Sequence, residues 1–156
     1  MCPAFCLQWL ACAATSKQAI GRSRGGLTTK IHVVVDALGN PIRFELTPGQ
    51  ARGSVMGYEM LSKLDIENRE ILADRAHDAD AILALAEEQN ATTVNPSKRN
   101  RRKKRAYDKN TYKERHLIEC FFNRVKKYRR LATRYDKTAS MFKASLVLIS
   151  IRMWLK

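Results

Sequence analysis

The sequence predicts a single α/β domain, and three observations predict it. A β-branched run, TTKIHVVV from Thr28 to Val35, is followed by turn residues and a second, alternating run, which together read as a hairpin. The short apolar segment from Glu70 to Ala73 leads directly into an acid, Asp74, and then into a stretch rich in Ala, Ile and Leu. The last third of the chain carries apolar residues at helical spacing. At 156 residues the chain is long enough for one real core and too short for two ordinary domains.

Taken in order, the elements follow from local chemistry. Met1 to Thr15 is apolar but lacks a basic segment ahead of its apolar run, so it reads as a short buried or disordered extension rather than a signal peptide. Residues 1–16 are accordingly set apart from a domain over 17–156. After the first strand, Asp36 to Pro41 contains Gly39-Asn40, turn chemistry that reverses a chain. Ile42, Phe44 and Leu46 then alternate with Arg43 and Glu45, giving a return strand with one wet face, ended by Pro48 and Gly49. Val55 to Leu64 has helical periodicity. Glu70 to Ala73 is a strand ending at Asp74. Asp78 is placed to cap a helix over Ala79 to Gln89, with Asp78 and Asp80 read as capping and surface residues. Thr92 to Val94 supplies a last short strand, closed by Pro96. A helix opening at Asn110 or Thr111 and a final one over Lys137 to Lys156 complete the chain, the latter interrupted by Lys143 and Arg152 and so suited to a core rather than a membrane.

Composition narrows the partner. Against 15 Asp and Glu stand 29 Lys and Arg, a formal charge of +14, and no long uncharged apolar span exists, so a nucleic acid is favoured over a membrane. A ribosomal-type RNA binder fits the same composition. Lys98, Arg99, Arg101, Arg102, Lys103, Lys104 and Arg105 form an almost wholly basic run that must be solvated or laid against phosphates. Cys2, Cys6 and Cys12 cluster near the start and Cys120 lies in a helix, which suggests reduced cytoplasmic thiols rather than a disulfide framework. Paired C-x2-C elements are absent, and His32, His77 and His116 add no regular ligand pattern, which argues against structural zinc.

The most informative stretch is Tyr112 to Lys126, YKERHLIECFFNRVK. Tyr112, Arg115, Glu119 and Lys126 fall at steps of three, four and seven, returning to nearly one side of an α-helix, while Leu117, Ile118, Phe121 and Val125 project to the other. By geometry alone this is equally an amphipathic helix with a charged, solvated face. The four polar positions, however, resemble the Y-x2-R-x3-E-x6-K signature of bacterial insertion-sequence DDE transposases of the IS-four and IS-five type. The segment Ile71 to Asp80 resembles the strand end that supplies that family's second catalytic aspartate, with His77 where Tyr is usual. Ile20 to Gln50 is similar to the antiparallel hairpin preceding it. The likeness runs from about Lys17 to Lys156, in family order.

The resemblance implies a ribonuclease-H-like core and DNA transposition. It implies that Asp74 and Glu119 are the second and third catalytic acids and the ligands of Mg²⁺ or Mn²⁺, that Arg115 and Lys126 contact the DNA backbone, and that Tyr112 supports the DNA or orients the acid. Such metal ions, held by carboxylates, position the attacking oxygen and stabilise the leaving one. The first aspartate of the family pattern has no counterpart: residues 1–35 contain no Asp or Glu, and Asp36 falls in the hairpin turn. The reading is therefore a core lacking its first strand, in an N-terminally truncated or frame-disrupted transposase or the downstream half of a frameshifted product. Its implied partners are transposon terminal repeats, a second copy or a full-length transposase, in the cytoplasm at the nucleoid. A noncatalytic DNA-binding regulator, inhibiting a full-length transposase, is the alternative.

Overall fold

The computed structural model describes residues 4–12, 19–23, 26–102 and 104–155. The expected hairpin is present as β3 (Gly26–Val35) and β4 (Pro41–Pro48), which pair antiparallel. Its turn is closed by Asp36, whose Oδ1 accepts the amides of Leu38 and Asn40 at 2.8 Å each, with Gly39 at φ +79°. The alternation of the return strand breaks at one point. The register passes from Val35–Pro41 to Val34–Arg43, and Ile42, skipped by this bulge, is exposed rather than inward.

The sequence reading sets residues 1–16 apart and leaves the core without its first strand; that detail is corrected. Ala4–Cys12 forms β1, antiparallel to β3 and parallel to β5 (Glu70–Ala73), and β5 in turn runs parallel to β6 (Thr92–Val94). A strand covered on both faces reads as a continuous apolar run, which is also what an unstructured apolar extension looks like. Phe5 and Leu7 pack on one side of the sheet and Cys6 on the other. The short β2 (Gly21–Ser23) pairs with the start of β3. Along the path β4–β3–β1–β5–β6 only β3 runs against the rest, the mixed order of a ribonuclease-H-like α/β fold.

Two apolar layers cover the sheet. On one face α1 (Gly53–Leu61) and α2 (Asp80–Glu88) bury Met60, Leu61, Ile82 and Leu85 against Phe5, Leu7, Val34 and Ile71. On the other, Ile118, Phe121 and Phe122 of α4 (His116–Lys126) and Phe142 and Leu146 of α6 (Ala139–Trp154) pack on Cys6, Ile31, Val33 and Leu72. A short α5 (Arg129–Ala132), unexpected from the sequence, joins them and buries Leu131. The side chains of α6 clamp the hairpin: Trp154 Nε1 donates to the Pro41 carbonyl at 3.0 Å, and Lys143 pairs with Glu45 at 3.1 Å. Among the described residues no helix is long and apolar enough to cross a membrane.

Candidate active site and basic surface

Asp74 stands where the chain leaves β5, two residues beyond the buried Leu72, and begins a 3-10 turn over Arg75–His77. Its Oδ1 accepts the Ala76 amide at 2.9 Å and meets His77 Nδ1 at 2.8 Å. Burial alone would raise the pKa of this carboxyl. The hydrogen bond and charge of His77, with the Ala76 and His77 amides, outweigh burial and hold it below its ordinary value. His77 is itself buried against α1, and the missing Cβ of Gly57 makes room for it: a methyl there would stand 2.8 Å from His77 Cδ2 and 2.9 Å from Leu7 Cδ2. From sequence His77 reads as a departure from Tyr and as one of three histidines without a ligand pattern; its position three residues after the acid, on a single turn, is the signal that points to this pairing.

The signature is split between two helices. Tyr112 lies on α3 (Lys109–Lys113), capped by Asp108, and Arg115 is the residue before α4, which carries Glu119 and Lys126. The expected continuous helix is tightened at 114–115, where Arg115 N bonds Tyr112 O at 3.1 Å and Leu117 N bonds Glu114 O at 3.0 Å, spanning three residues instead of four. His116 Nδ1 meets the Lys113 carbonyl at 3.0 Å, which takes up an acceptor freed by that tightening. The expected apolar side holds: Ile118, Phe121 and Val125 are buried, with Leu117 packed over Gly39.

Even so, the polar residues share a neighbourhood. Arg115 donates to Glu119 Oε1 at 2.5 Å and sits 5.7 Å from the centre of the Tyr112 ring, which meets Tyr107 edge-on at 5.3 Å. Burial raises the pKa of the Tyr112 hydroxyl, Arg115 opposes it, and Asp74 and Tyr107 add to it, so the phenol feels both halves of the site. Cys6, on β1, is pushed up to about 12 by burial, with Arg115 pulling against that and Glu119 adding to it. Glu119 is half exposed, and Lys126, seven residues on, lies exposed about two turns further along α4.

Chemically the candidate site offers an acid at the end of a parallel strand, Asp74, and a helix-borne acid, Glu119, flanked by the Arg115 cation and the Tyr112 phenol. A divalent clamp needs several carboxylate oxygens converging on one point. Asp74 and Glu119 each have one oxygen already engaged, and among the described residues no group of three or more His, Cys, Asp or Glu is placed to hold a metal ion. The donor set therefore falls short of that clamp. Asp36 does not complete it, being committed to the hairpin turn.

The basic run is not a uniform fringe of charge. Lys98, Arg99, Arg102 and Lys104 are exposed, whereas Arg101 and Arg105 turn inward to Asp78; Lys103 lies outside the described residues. Asp78 is not the helix cap expected of it: it is 1% exposed, and the cap position of α2 is Ala79. Asp80 is on the surface as expected and pairs with Arg101. A cleft of about 440 Å³ next to Asp74 is lined by Arg75, Ser97, Arg99, Lys104, Arg105 and Tyr107. A second basic cleft, about 400 Å³ and not foreseen from the sequence, lies between the ends of α4 and α6 at Arg124, Lys127, Tyr128 and Arg152.

A strand-end acid, a helix-borne acid in the Y-x2-R-x3-E-x6-K frame and a ribonuclease-H-like sheet define the class, and the transposase DDE domain family model matches residues 10–154. The chain belongs to that family. It is 41% identical over 134 residues to a protein of Brucella ovis named "Putative transposase for insertion sequence element IS6501", covering 83% of this chain and all of that relative. Among solved structures it is similar to a piggyBac transposase in a synaptic complex with hairpin DNA, at 16% identity and a TM-score of 0.48 over 64% of this chain. It is also similar to the Mos1 transposase in a paired-end complex with the left transposon end, at 18% identity and a TM-score of 0.40 over 58% of this chain. The chain spans 24% and 34% of those two proteins.

Proposed function

We propose that this chain binds transposon DNA, laying the duplex across the basic surface that runs from the 97–105 segment past Asp74 to Lys126. The observation that carries the reading is the Tyr112–Arg115–Glu119 cluster, whose Tyr112 ring meets Tyr107, a wall of the basic cleft that Arg75, Arg99 and Lys104 line just after Asp74. In this reading Asp74 and Glu119 stand as the second and third acids of the family pattern, Arg115 positions Glu119, and Lys126 with Lys98, Arg99, Arg102 and Lys104 contacts phosphates. A net charge of +14 suits a polyanion, and each neutralised phosphate releases condensed counterion.

Phosphodiester cleavage by the family needs a Mg²⁺ or Mn²⁺ clamp, and β1 enters this sheet without an acid. One observation therefore favours the second reading as well: a chain with the DNA surface and an incomplete acid set occupies transposon ends, or mixes with full-length transposase, and inhibits it. Gel-shift titration with duplexes carrying the element's terminal repeats tests the first statement. Salt-sensitive binding with preference for those ends supports it, and no binding at low salt refutes it. Adding the chain to an active full-length transposase tests the second, which predicts reduced excision.

A further inference from the structure

The acid that organises the basic segment was read from sequence as a cap, and its burial is otherwise unexplained. Asp78 Oδ2 accepts the Lys98 amide at 2.7 Å and Arg101 Nε at 3.0 Å, and Oδ1 accepts Arg105 Nη2 at 2.8 Å. Arg105 fans further, to Thr93 Oγ1 at 3.1 Å and Asn95 Oδ1 at 3.1 Å, while its amide donates to Ser97 Oγ at 3.0 Å. Arg101 reaches on to Asp80 at 2.5 Å.

A buried carboxylate is tolerated only when donors replace its lost water, and here three N–H groups do so. A run of seven cations in eight residues repels itself and has no reason to hold one shape. Two of those cations, Arg101 and Arg105, are drawn in and balanced by Asp78. That leaves Arg99 and Lys104 at the mouth of the cleft, joined by Arg75 from the turn after Asp74, with Ser97 and Tyr107 completing its walls. Among the described residues no acid lines it, and Tyr107 abuts Tyr112 of the signature.

We propose that Asp78 is a positioning residue that folds the 97–105 segment into a phosphate-binding cleft beside Asp74, and that Arg75, Arg99 and Lys104 are its ligand-facing cations for a DNA phosphodiester. This rests on the DNA-binding reading above. Arg101 and Arg105 serve as the struts of the cleft, and Asp80, 90% exposed, is dispensable to it.

The test turns on a sign. If charge alone governs binding, Asp78→Asn makes the chain more basic and tightens its hold on DNA. If Asp78 builds the cleft, the same change weakens it. With a fluorescently labelled duplex in anisotropy titrations, Asp78→Asn should bind about three- to tenfold more weakly with a salt slope flatter by about 0.9 to 1.8, the loss of one or two phosphate contacts. Trypsin should cut the segment faster, and Asp80→Asn should bind like the unchanged protein. Equal or tighter binding by a folded Asp78→Asn protein, with an unchanged slope, overturns the proposal.

Should circular dichroism show that variant unfolded, a charge-matched pair of surface variants decides instead. Arg75→Gln with Arg99→Gln and Lys104→Gln should flatten the salt slope by up to about 2.7, while Arg22→Gln with Arg52→Gln and Lys63→Gln should change it little. Equal losses from the two triples overturn the cleft. If the unaltered chain fails to bind the duplex at low salt, the DNA-binding reading falls, whatever the variants do.

Discussion

Replacing Gln8 by Asp probes the acid that this chain does not supply. In the parallel pairing of β1 with β5, Leu7 stands opposite Ala73. If that register carried on one step past the end of β5, position 8 would fall abreast of Asp74. Neighbouring strands are about 4.8 Å apart, so in that register the backbones at positions 8 and 74 would be roughly 5 Å apart, and the expected cost is worked for two acids at about that separation. Two like charges at that distance repel by about 0.8 kcal/mol in a water-like medium and about 3 kcal/mol at an effective dielectric near 20. Asp74 keeps 29% of its side chain exposed, which places the cost toward the lower end, about 1–2 kcal/mol. For a domain of this size that lowers the melting temperature by about 2–8 °C in EDTA. A divalent ion bridging the two acids reverses the effect: at ten times its dissociation constant it returns about 1.4 kcal/mol. Thermal unfolding of Gln8→Asp and the unaltered chain, each in EDTA and in Mg²⁺, measures this. A variant that neither loses stability in EDTA nor regains it in Mg²⁺ refutes the placement of position 8 beside Asp74.

Four further outcomes follow from the geometry. Glu119→Gln removes only an exposed i, i+4 pair, so stability should change by no more than about 0.5 kcal/mol and DNA affinity should hold or rise slightly, as read by melting and gel shift. The Asp74 carboxyl is held below its ordinary pKa, so its contribution to stability is present above the ordinary carboxylate range and is lost as pH falls through the lowered value. Acid unfolding of Asp74→Asn should therefore show a shallower loss than the unaltered chain over that window. Gly57→Ala places a methyl against His77 and Leu7 and should cost about 1–3 kcal/mol in denaturant melts, with the Asp74 pKa displaced upward in a carbon-13 NMR titration as His77 shifts. Replacing Lys98, Arg99, Arg102 and Lys104 together by Gln should flatten the salt slope of DNA binding by up to about 3.6, about 0.9 for each cation that meets a phosphate.

How much of this was legible in the sequence depended on whether the signal was local. The hairpin was, because β-branched alternation and the Gly39-Asn40 turn act within a few residues, and so were the bounds of β5 at Glu70–Ala73 and β6 at Thr92–Val94. The signature positions were legible as a spacing, although the spacing hid the tightened turn at 114–115 that side-chain and backbone bonds impose. What failed was non-local. The apolar residues of β1 gain meaning only from β3 and β5, which lie many residues away in the chain. The role of Asp78 depends on guanidiniums 23 and 27 residues later, and a cap is the natural reading of an acid just before a helix. His77 acquired its part only when the 3-10 turn brought it back to Asp74.

We propose that this member of the transposase DDE domain family holds DNA on a basic surface around two acids, Asp74 and Glu119, that do not by themselves complete a catalytic clamp. Incubating the unaltered chain with DNA carrying the element's ends, in Mg²⁺ and in Mn²⁺, and reading binding and strand cleavage on the same samples decides this. Salt-sensitive binding without cleavage is the predicted result. Metal-dependent cleavage that disappears in Glu119→Gln would contradict it, showing that the clamp is complete and that an acid beyond Asp74 and Glu119 serves it.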